Sequence, residues 1–166
     1  MTRCDLLNEL WKQQDIAFDI TTEYDSIPHK YGSLVLYQAE AYMLDIIGLH
    51  PGITTTELAD AFGKTVSACS QLIKKLVQKN LAVQTRNETN KRIFNITLTP
   101  LGTEIYKTHV SMTESCKKAT FDLLQSFTDD QLETAIKIQA LLNKAYRNDL
   151  QMAKEDILRE SEQFKL

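Results

Sequence analysis

The amino-acid sequence predicts a mainly α-helical fold with one β-hairpin. Three observations support this prediction. Apolar residues recur at helical spacing before residue 50 and after residue 100, they alternate with polar residues between 81 and 98, and helix-capping patterns separate the helical segments. The chain has 166 residues, of which 43% are apolar and 25% charged, so it is long enough for one domain with a substantial core.

The first part of the chain predicts two helices joined by an irregular segment. Apolar residues at helical spacing indicate a helix over about 4–20, and the stretch 21–32, which contains Pro28 and Gly32, indicates a loop. The stretch 33–48 is apolar on nearly every face, which is typical of a buried central helix that ends at Gly48.

A pair of short helices follows. Thr54 and Glu57 have the spacing of a capping box, in which each side chain accepts a hydrogen bond from the backbone N–H of the other residue. Gly63 ends the helix that this box begins, and a second helix begins near Thr65. The apolar stripe of the second helix consists of Cys69, Leu72, Ile73, Leu76 and Val77.

A hairpin and two long helices complete the prediction. Segments 81–86 and 94–98 have the alternation of strands, and the polar stretch 87–90 forms the turn between them. Thr99 and Pro100 predict a helix start, and the helix is expected to run to about 126. Its predicted stripe is Leu101, Ile105, Met112, Cys116 and Leu123. A capping box at Thr128 begins the last helix, whose expected inward residues are Leu132, Ala135, Ile136, Leu142, Tyr146, Leu150 and Ile157.

Charge is distributed unevenly along the chain. The formal net charge is −3, but residues 63–92 contain seven basic residues and one acidic residue, a net +6, which leaves −9 for the remainder. Such a basic segment can bind phosphates although the rest of the protein is acidic, because cellular salt screens charges beyond about 8 Å.

The two short helices and the basic hairpin together predict a winged helix-turn-helix, a module whose second helix enters the DNA major groove. We expect Gln71 to contact bases, the lysines to contact phosphates, and an arginine of the hairpin to enter a minor groove. The alternative is that the second helix only packs and its lysines form a solvated face; the joint occurrence of a polar helix start and a basic hairpin favours DNA. The predicted DNA-binding residues are Lys64, Thr65, Ser67, Ala68, Ser70, Gln71, Lys74, Lys75, Arg86, Lys91 and Arg92.

The segments LADAFGKTVSACSQLIKKLVQKNLAV and NKRIFNITLTPLG resemble the MarR family of bacterial and archaeal regulators, as does the order of helices over nearly the whole chain. This resemblance implies a homodimer that binds a pseudo-palindromic site and responds to a small ligand, metal or oxidant. It also implies that Arg92 is the arginine that enters the minor groove. The family often has aspartate two residues earlier, where this chain has Asn90, so we expect Asn90 to hold the turn by amide hydrogen bonds instead.

The resemblance further implies a division of the chain into two regions. Residues 33–99 would form the DNA-binding lobe with its two-stranded β-wing. Residues 1–32 and 100–166 would form the helical dimerisation region, with the first and last helices joining two copies.

A metal site is one interpretation of three polar residues outside the basic segment. Some members of the family bind zinc through Glu and His of the two corresponding helices, and Glu40, His109 and His29 would supply such ligands here. However, the sequence has no compact pair of ligands such as H-x3-H or C-x2-C. The alternative is a hydrogen-bonded core pair or a dimer contact. We therefore expect no resident cofactor.

Aromatic residues and cysteines offer further candidates for an effector site. The family binds aromatic acids or drugs in a cleft beside its DNA-binding lobe, which would make Trp11, Tyr31, Tyr37 and Tyr106 ligand-binding residues, although aromatic residues at helical spacing are more often core. Cys4 would be a redox sensor only with a neighbouring base, whereas Cys69 and Cys116 lie on apolar stripes and are expected to be buried.

The sequence thus predicts a DNA-binding transcriptional regulator, acting as a repressor, that is not an enzyme, because no catalytic set has a supporting motif. The partners expected are double-stranded DNA, a second copy and a small-molecule effector. No apolar run is long enough for a membrane span, no signal peptide is evident, and the scattered cysteines favour a cytoplasmic location. The alternatives are a metal-responsive regulator and a winged helix that serves as a protein-interaction module.

Overall fold

The computed structural model describes the backbone of residues 1–163, and side chains up to Ile157 and at Arg159. Contacts along the chain separate two units, Met1–Ser115 and the segment from Cys116 onward. The elements, in chain order, are α1 (Arg3–Ser26), β1 (His29–Tyr31), β2 (Leu34–Leu36), α2 (Gln38–Leu49), β3 (Ile53–Thr54), α3 (Thr55–Phe62), α4 (Val66–Gln78), β4 (Ala82–Arg86), β5 (Phe94–Leu98), α5 (Pro100–Leu124) and α6 (Asp129–Gln163).

The first unit contains the hydrophobic core, which α2 dominates. Met43, Leu44 and Ile47 of α2 are fully buried, as expected for a central helix. The other members of the core come from α2 itself, from β1 to β5, α3, α4, the turn after α4 and the start of α5: Tyr31, Leu36, Ala41, Ile46, Ile53, Leu58, Ala59, Cys69, Ile73, Leu76, Leu81, Ala82, Ile96 and Ile105.

The stretch 21–36 differs from its prediction. Helix α1 continues to Ser26 instead of ending near residue 20, and β1 and β2 form an antiparallel hairpin in which Tyr31 pairs with Leu34. Residues Leu34–Leu36 are therefore a strand, not the first turn of the buried helix, which begins only at Gln38. A short apolar run is compatible with either a strand or a helix. Here Gly32, at a φ of 61°, provides the tight turn that lets Leu34–Leu36 pair antiparallel with β1.

The predicted two-stranded wing is confirmed as the hairpin of β4 and β5, and a third strand, β3, extends its sheet. Strand β5 lies in the centre and pairs antiparallel with β4 on one side and with β3 on the other. Ile53 pairs with Ile96, and both are buried. The two-residue strand β3 is too short to show a period of two in the sequence, and its pairing joins the start of the helix-turn-helix to the wing.

The start of α5 is fixed to the turn between α4 and β4 by residues 98–102, whose sequence is LTPLG. Thr99 caps the helix, since its Oγ1 accepts a hydrogen bond from Gly102 N at 2.9 Å and donates to Asn80 O at 2.7 Å. Thr99 N donates to Leu81 O at 3.1 Å. At Gly102 the backbones approach so closely that a Cβ would lie 1.8 Å from Leu81 O. Only glycine fits at this position.

The apolar stripes of the terminal helices are exposed in the single chain, contrary to the prediction that they face inward. In α6, Leu132 and Leu142 are half-buried, while Ile136 and Ile157 are 68% and 67% exposed. The other predicted inward residues, Ala135, Tyr146 and Leu150, are exposed, as are Met112, Cys116 and Leu123 of α5. Helical spacing identifies the apolar face of a helix but not the surface that covers it.

Candidate nucleic-acid interface

The helix-turn-helix is formed by α3, a tight turn and α4, and both ends of α3 have the cap that the sequence predicted. Thr54 Oγ1 accepts from Glu57 N at 3.3 Å, and Glu57 Oε2 accepts from Thr54 N at 2.8 Å, so the capping box is complete. The carboxylate also accepts from Thr54 Oγ1 at 2.8 Å, and its hydrogen bonds with the backbone and side chain of Thr54 lower the pKa of Glu57. Gly63 ends α3 in the left-handed conformation, at a φ of 65°, which directs the chain into α4 after only two more residues.

Helix α4 divides its residues between a buried stripe and an exposed polar face. Cys69, Ile73 and Leu76 are fully buried and anchor the helix in the core. Around them Ser67, Gln71, Lys74 and Lys75 are exposed, while Ala68 and Ser70 are half-buried. The helix contains no acidic residue. Its outer face can therefore approach an anionic surface without electrostatic repulsion from its own side chains.

Thr65 is the N-cap of α4, because its Oγ1 accepts from Ala68 N at 3.2 Å. The hydroxyl hydrogen remains able to donate. Lys64 precedes this cap and is exposed. Thr65 thus fixes the start of the helix as well as being a predicted contact residue.

The tip of the wing is held by two asparagines. Asn87 Oδ1 accepts from Thr89 N and Asn90 N, each at 3.0 Å, and Asn90 Oδ1 accepts from Arg92 N at 3.1 Å. The expectation that Asn90 supports the turn by an amide hydrogen bond is confirmed. Lys91 and Arg92 are exposed at this tip.

Arg86 is placed differently from Arg92. It lies at the end of β4, and its guanidinium carbon is 5.7 Å from the ring centre of Phe94, its partner on β5. This cation–π contact holds the Arg86 side chain against the wing. No aromatic ring among the described residues holds Arg92 in this way, and its side chain is exposed at the turn.

Lys79 was counted in the basic segment, but the structure pairs its charge within the fold. Its Nζ lies 2.8 Å from Glu40 Oε2. The basic segment is therefore less positive toward an external partner than its +6 suggests. Sequence reasoning missed this pair because 39 residues separate its members.

The three predicted metal ligands are each engaged elsewhere. Glu40 pairs with Lys79, His109 Nδ1 lies 2.9 Å from Asp45 Oδ1, and His29 Nε2 lies 3.2 Å from Tyr24 O. Among the described residues, no three His, Cys, Asp or Glu side chains lie together as a metal site would require. The arrangement matches the alternative of hydrogen-bonded core pairs, and Asp45 was not identified from the sequence.

The four predicted ligand-binding aromatics lie in different surroundings. Trp11 on α1 is 54% exposed and Tyr37, before α2, is 49% exposed. Tyr31 is buried against His109, with ring centres 5.9 Å apart, and burial raises the pKa of its phenol to about 12. Tyr106 is half-buried, and its ring lies directly over Gly48.

The cysteines follow their predictions in part. Cys69 is fully buried, and burial raises the pKa of its thiol. Cys116 is exposed in the single chain, so the expectation of a buried residue was wrong, for the same reason as for the other stripe residues of α5. Cys4 is exposed and lies 3.6 Å from Asn8 Nδ2.

Comparison with known proteins agrees with this geometry. Residues 37–93 match the model of the MarR family. None of the curated proteins is significantly similar to the chain in sequence.

Solved structures resemble the fold over most of the chain. The zinc-responsive MarR family member ZitR of Lactococcus lactis is 17% identical, with 85% of this chain and 99% of that chain covered and a TM-score of 0.73. ZitR in complex with DNA is 19% identical, with 82% and 97% covered and a TM-score of 0.69. FabT of Streptococcus pneumoniae in complex with DNA is 16% identical, with 87% and 97% covered and a TM-score of 0.65.

At these identities the structural likeness establishes the fold, and the family match concerns residues 37–93. That match begins just before α2 and ends after the tip of the wing, so it spans the helix-turn-helix described above. Through this winged helix-turn-helix, the chain is similar to the regulators of the MarR family.

Proposed function

We propose that this protein is a repressor that binds a pseudo-palindromic operator as a homodimer and that a small ligand modulates its affinity. The observation that carries the proposal is the outer face of α4, where small polar and basic side chains are exposed and acidic residues are absent. A helix with such a face can enter the major groove with its first turns close to the base edges. The DNA complexes of ZitR and FabT support this use of the fold.

Each group at the interface has a proposed role. Gln71 is exposed on α4, and its amide can form two hydrogen bonds with adenine. Lys74 and Lys75 follow it on the same helix and would neutralise phosphates. Arg92 projects from the wing and would enter an adjacent minor groove, whose negative potential attracts a guanidinium.

The proposed homodimer rests on the exposed apolar faces of the terminal helices. On α1, Leu6, Leu7 and Phe18 are 56%, 55% and 71% exposed. Within the second unit, the end of α5 and the start of α6 line an open apolar groove of about 790 Å³ that includes Phe121 and Ile136. Contiguous apolar surface of this kind mediates association between proteins, so we propose that a second copy covers it. Residues 1–32 and 100–166 would then form the dimerisation region and 33–99 the DNA-binding lobe.

An organic effector would act by favouring one distance between the two DNA-binding lobes of the dimer. The proposed ligand-binding residues are Trp11, Tyr31, Tyr37 and Tyr106. Tyr31 is enclosed in the core, so a ligand would reach it only if the surrounding side chains move.

Zinc response is a property of ZitR, and here two of the candidate metal ligands, Glu40 and His109, are already paired with Lys79 and Asp45. We therefore propose an organic effector in preference to a metal. We also propose a cytoplasmic location; no helix among the described residues is long and apolar enough to cross a bilayer.

The experiment is selection of bound duplexes from random DNA, followed by titration of the selected and a shuffled duplex at several salt concentrations. We expect one preferred, pseudo-palindromic sequence and an affinity that falls steeply with salt, because phosphate contacts release counterions. Absence of a salt-dependent, sequence-selective complex would refute DNA binding and favour a protein-interaction module. Sedimentation of the free protein and of the complex tests the dimer, and a purely monomeric protein would contradict it. Titration with and without a chelator tests the metal alternative, since an unchanged affinity excludes a metal response.

A further inference from the structure

Glu40 is a buried carboxylate in the first turn of α2. Its side chain is only 3% exposed, which is rare for a charged residue. Its Oε2 accepts a hydrogen bond from Tyr37 N at 2.9 Å. Lys79 Nζ donates to both carboxylate oxygens at 2.8 Å. The buried charge is therefore fully compensated, and removal of the lysine would leave it without its counterion.

Lys79 connects three elements of the first unit. It is the C-cap residue of α4, and its Nζ donates to Val35 O of β2 at 3.0 Å as well as to Glu40. The three hydrogens of the ammonium thus have three acceptors, two on α2 and one on β2. Its side chain is 32% exposed, but its donors are occupied within the fold rather than free for a phosphate.

The same residue lies at the junction of α4 and the wing. Directly after it, Asn80 adopts the left-handed conformation and Leu81 N donates to Leu76 O at 2.8 Å, which closes the end of the helix. Strand β4 begins at the next residue, Ala82. An anchor at Lys79 therefore fixes the end of α4 and the start of the wing at once.

The length of α4 amplifies a movement at this anchor. At 1.5 Å per residue the helix is about 20 Å long, so a tilt of about 5° about its C-terminal end would displace its first turn by about 2 Å. A displacement of this size breaks hydrogen bonds to base edges, whereas flexible lysines can still follow a phosphate backbone.

We propose that Glu40 and Lys79 form a latch that orients α4 for base contacts, so that Lys79 is a positioning residue and not a phosphate contact. The proposal rests on the proposed DNA-binding function. It makes sequence preference, rather than general affinity for DNA, the property that the latch supports.

The test compares Lys79→Met with Lys75→Met, a matched loss of one positive charge on the same helix. The probes are a duplex selected from random DNA by the wild-type protein and a shuffled duplex of equal length. For Lys79→Met we expect at least tenfold weaker binding of the selected duplex, less than twofold change for the shuffled duplex, and an unchanged salt dependence. For Lys75→Met we expect weaker binding of both duplexes and a salt slope smaller by about 0.9.

Other outcomes overturn the latch. Equal losses on both duplexes without a change of slope would indicate only a smaller folded fraction, and a reduced slope for Lys79→Met would make Lys79 a phosphate contact. If Lys79→Met does not fold, the double variant Glu40→Gln/Lys79→Met replaces it, because this variant leaves no unpaired charge in the core. If the double variant prefers the selected duplex over the shuffled one as strongly as the wild-type protein does, the latch is overturned.

A measurement without DNA separates this proposal from the proposed function. If the wild-type protein selects no sequence, DNA binding is refuted, and the latch is judged by amide hydrogen exchange of the folded variant. We expect faster exchange at Asn80 and Leu81 than in Lys75→Met. Equal exchange rates in the two variants would overturn the latch.

Discussion

Replacement of Gly102 by alanine tests the contact between α5 and the turn after α4. An alanine Cβ at this position would lie 1.8 Å from the carbonyl oxygen of Leu81, 2.8 Å from its carbonyl carbon and 3.2 Å from its Cα. All three atoms belong to the backbone, so no side-chain rotation can relieve the overlap. The start of α5 must move away from the turn by more than 1 Å, on the order of the overlap itself, before the contact becomes acceptable.

The expected cost can be worked out from what that movement disturbs. Overpacking of a closely packed site costs about 1–3 kcal/mol. The movement also stretches the hydrogen bonds from Thr99 N to Leu81 O and from Thr99 Oγ1 to Asn80 O, each of which contributes about 0.5–1.5 kcal/mol. Alanine has a higher helix propensity than glycine, which offsets about 1 kcal/mol of this destabilisation. We therefore expect Gly102→Ala to lower the free energy of unfolding by about 3 kcal/mol.

Urea unfolding of the wild type and Gly102→Ala, followed by circular dichroism at one protein concentration, measures this difference. Ser111→Ala, at an exposed position further along α5, is the control and should change stability by less than about 0.5 kcal/mol. A Gly102→Ala protein as stable as the wild type, or more stable by the gain in helix propensity, would refute the close approach of the two backbones.

The remaining predictions concern the helix end, a buried phenol and the DNA contacts. At Asn80, where φ is 56°, glycine should raise stability by up to about 1 kcal/mol and alanine should lower it by a similar amount, measured by urea unfolding; equal effects would contradict the left-handed conformation. Burial above all, and secondarily the charges of nearby groups, raises the pKa of Tyr31 from 10.0 to about 12. The stability that the neutral phenol of Tyr31 contributes is thus complete below pH 10 and is lost as the pH approaches 12. The free energy of unfolding of Tyr31→Phe, relative to that of the wild type, should therefore be about 1.4 kcal/mol higher at about pH 11 than at about pH 9. Parallel pH profiles of the two proteins would exclude this. Arg92→Ala should weaken binding to all duplexes, whereas Gln71→Ala should reduce discrimination at one base pair by about 1–3 kcal/mol, and identical effects of Gln71→Ala on selected and shuffled DNA would argue against base contact.

The predictable part of the candidate interface is the part that depends on short-range interactions. The caps at Thr54, Thr99 and Thr128 each use a side chain and a backbone group three residues apart, and the structure confirms all three. The same holds for the turn at the wing, where Asn90 bonds to Arg92 N two residues later. The exposed position of Gln71 followed from its place opposite the apolar stripe of α4.

The less predictable part depends on residues far apart in sequence. Whether Lys79 points toward a phosphate or toward a buried carboxylate depends on how α2 packs beside α4, and no pattern within α4 contains that information. The pairing of His109 with Asp45, 64 residues apart, likewise arises only when α5 and α2 meet. Both pairs engage residues that the less favoured metal interpretation would have used as ligands, because these polar groups form hydrogen bonds with each other in pairs.

Sequence alone determined the order of the helices, their caps, the helix-turn-helix and the basic wing, since these follow from side-chain periodicity and from hydrogen bonds between near neighbours. Tertiary structure decided where the short apolar run Leu34–Leu36 pairs, which charges of the basic segment remain available, and which apolar stripes one chain leaves exposed. The physical reason is that helical periodicity specifies a face, whereas the partner of that face is chosen by long-range packing. For this protein the core of the first unit covers the stripe of α4, while the stripes of α1 and α6 remain exposed in the single chain.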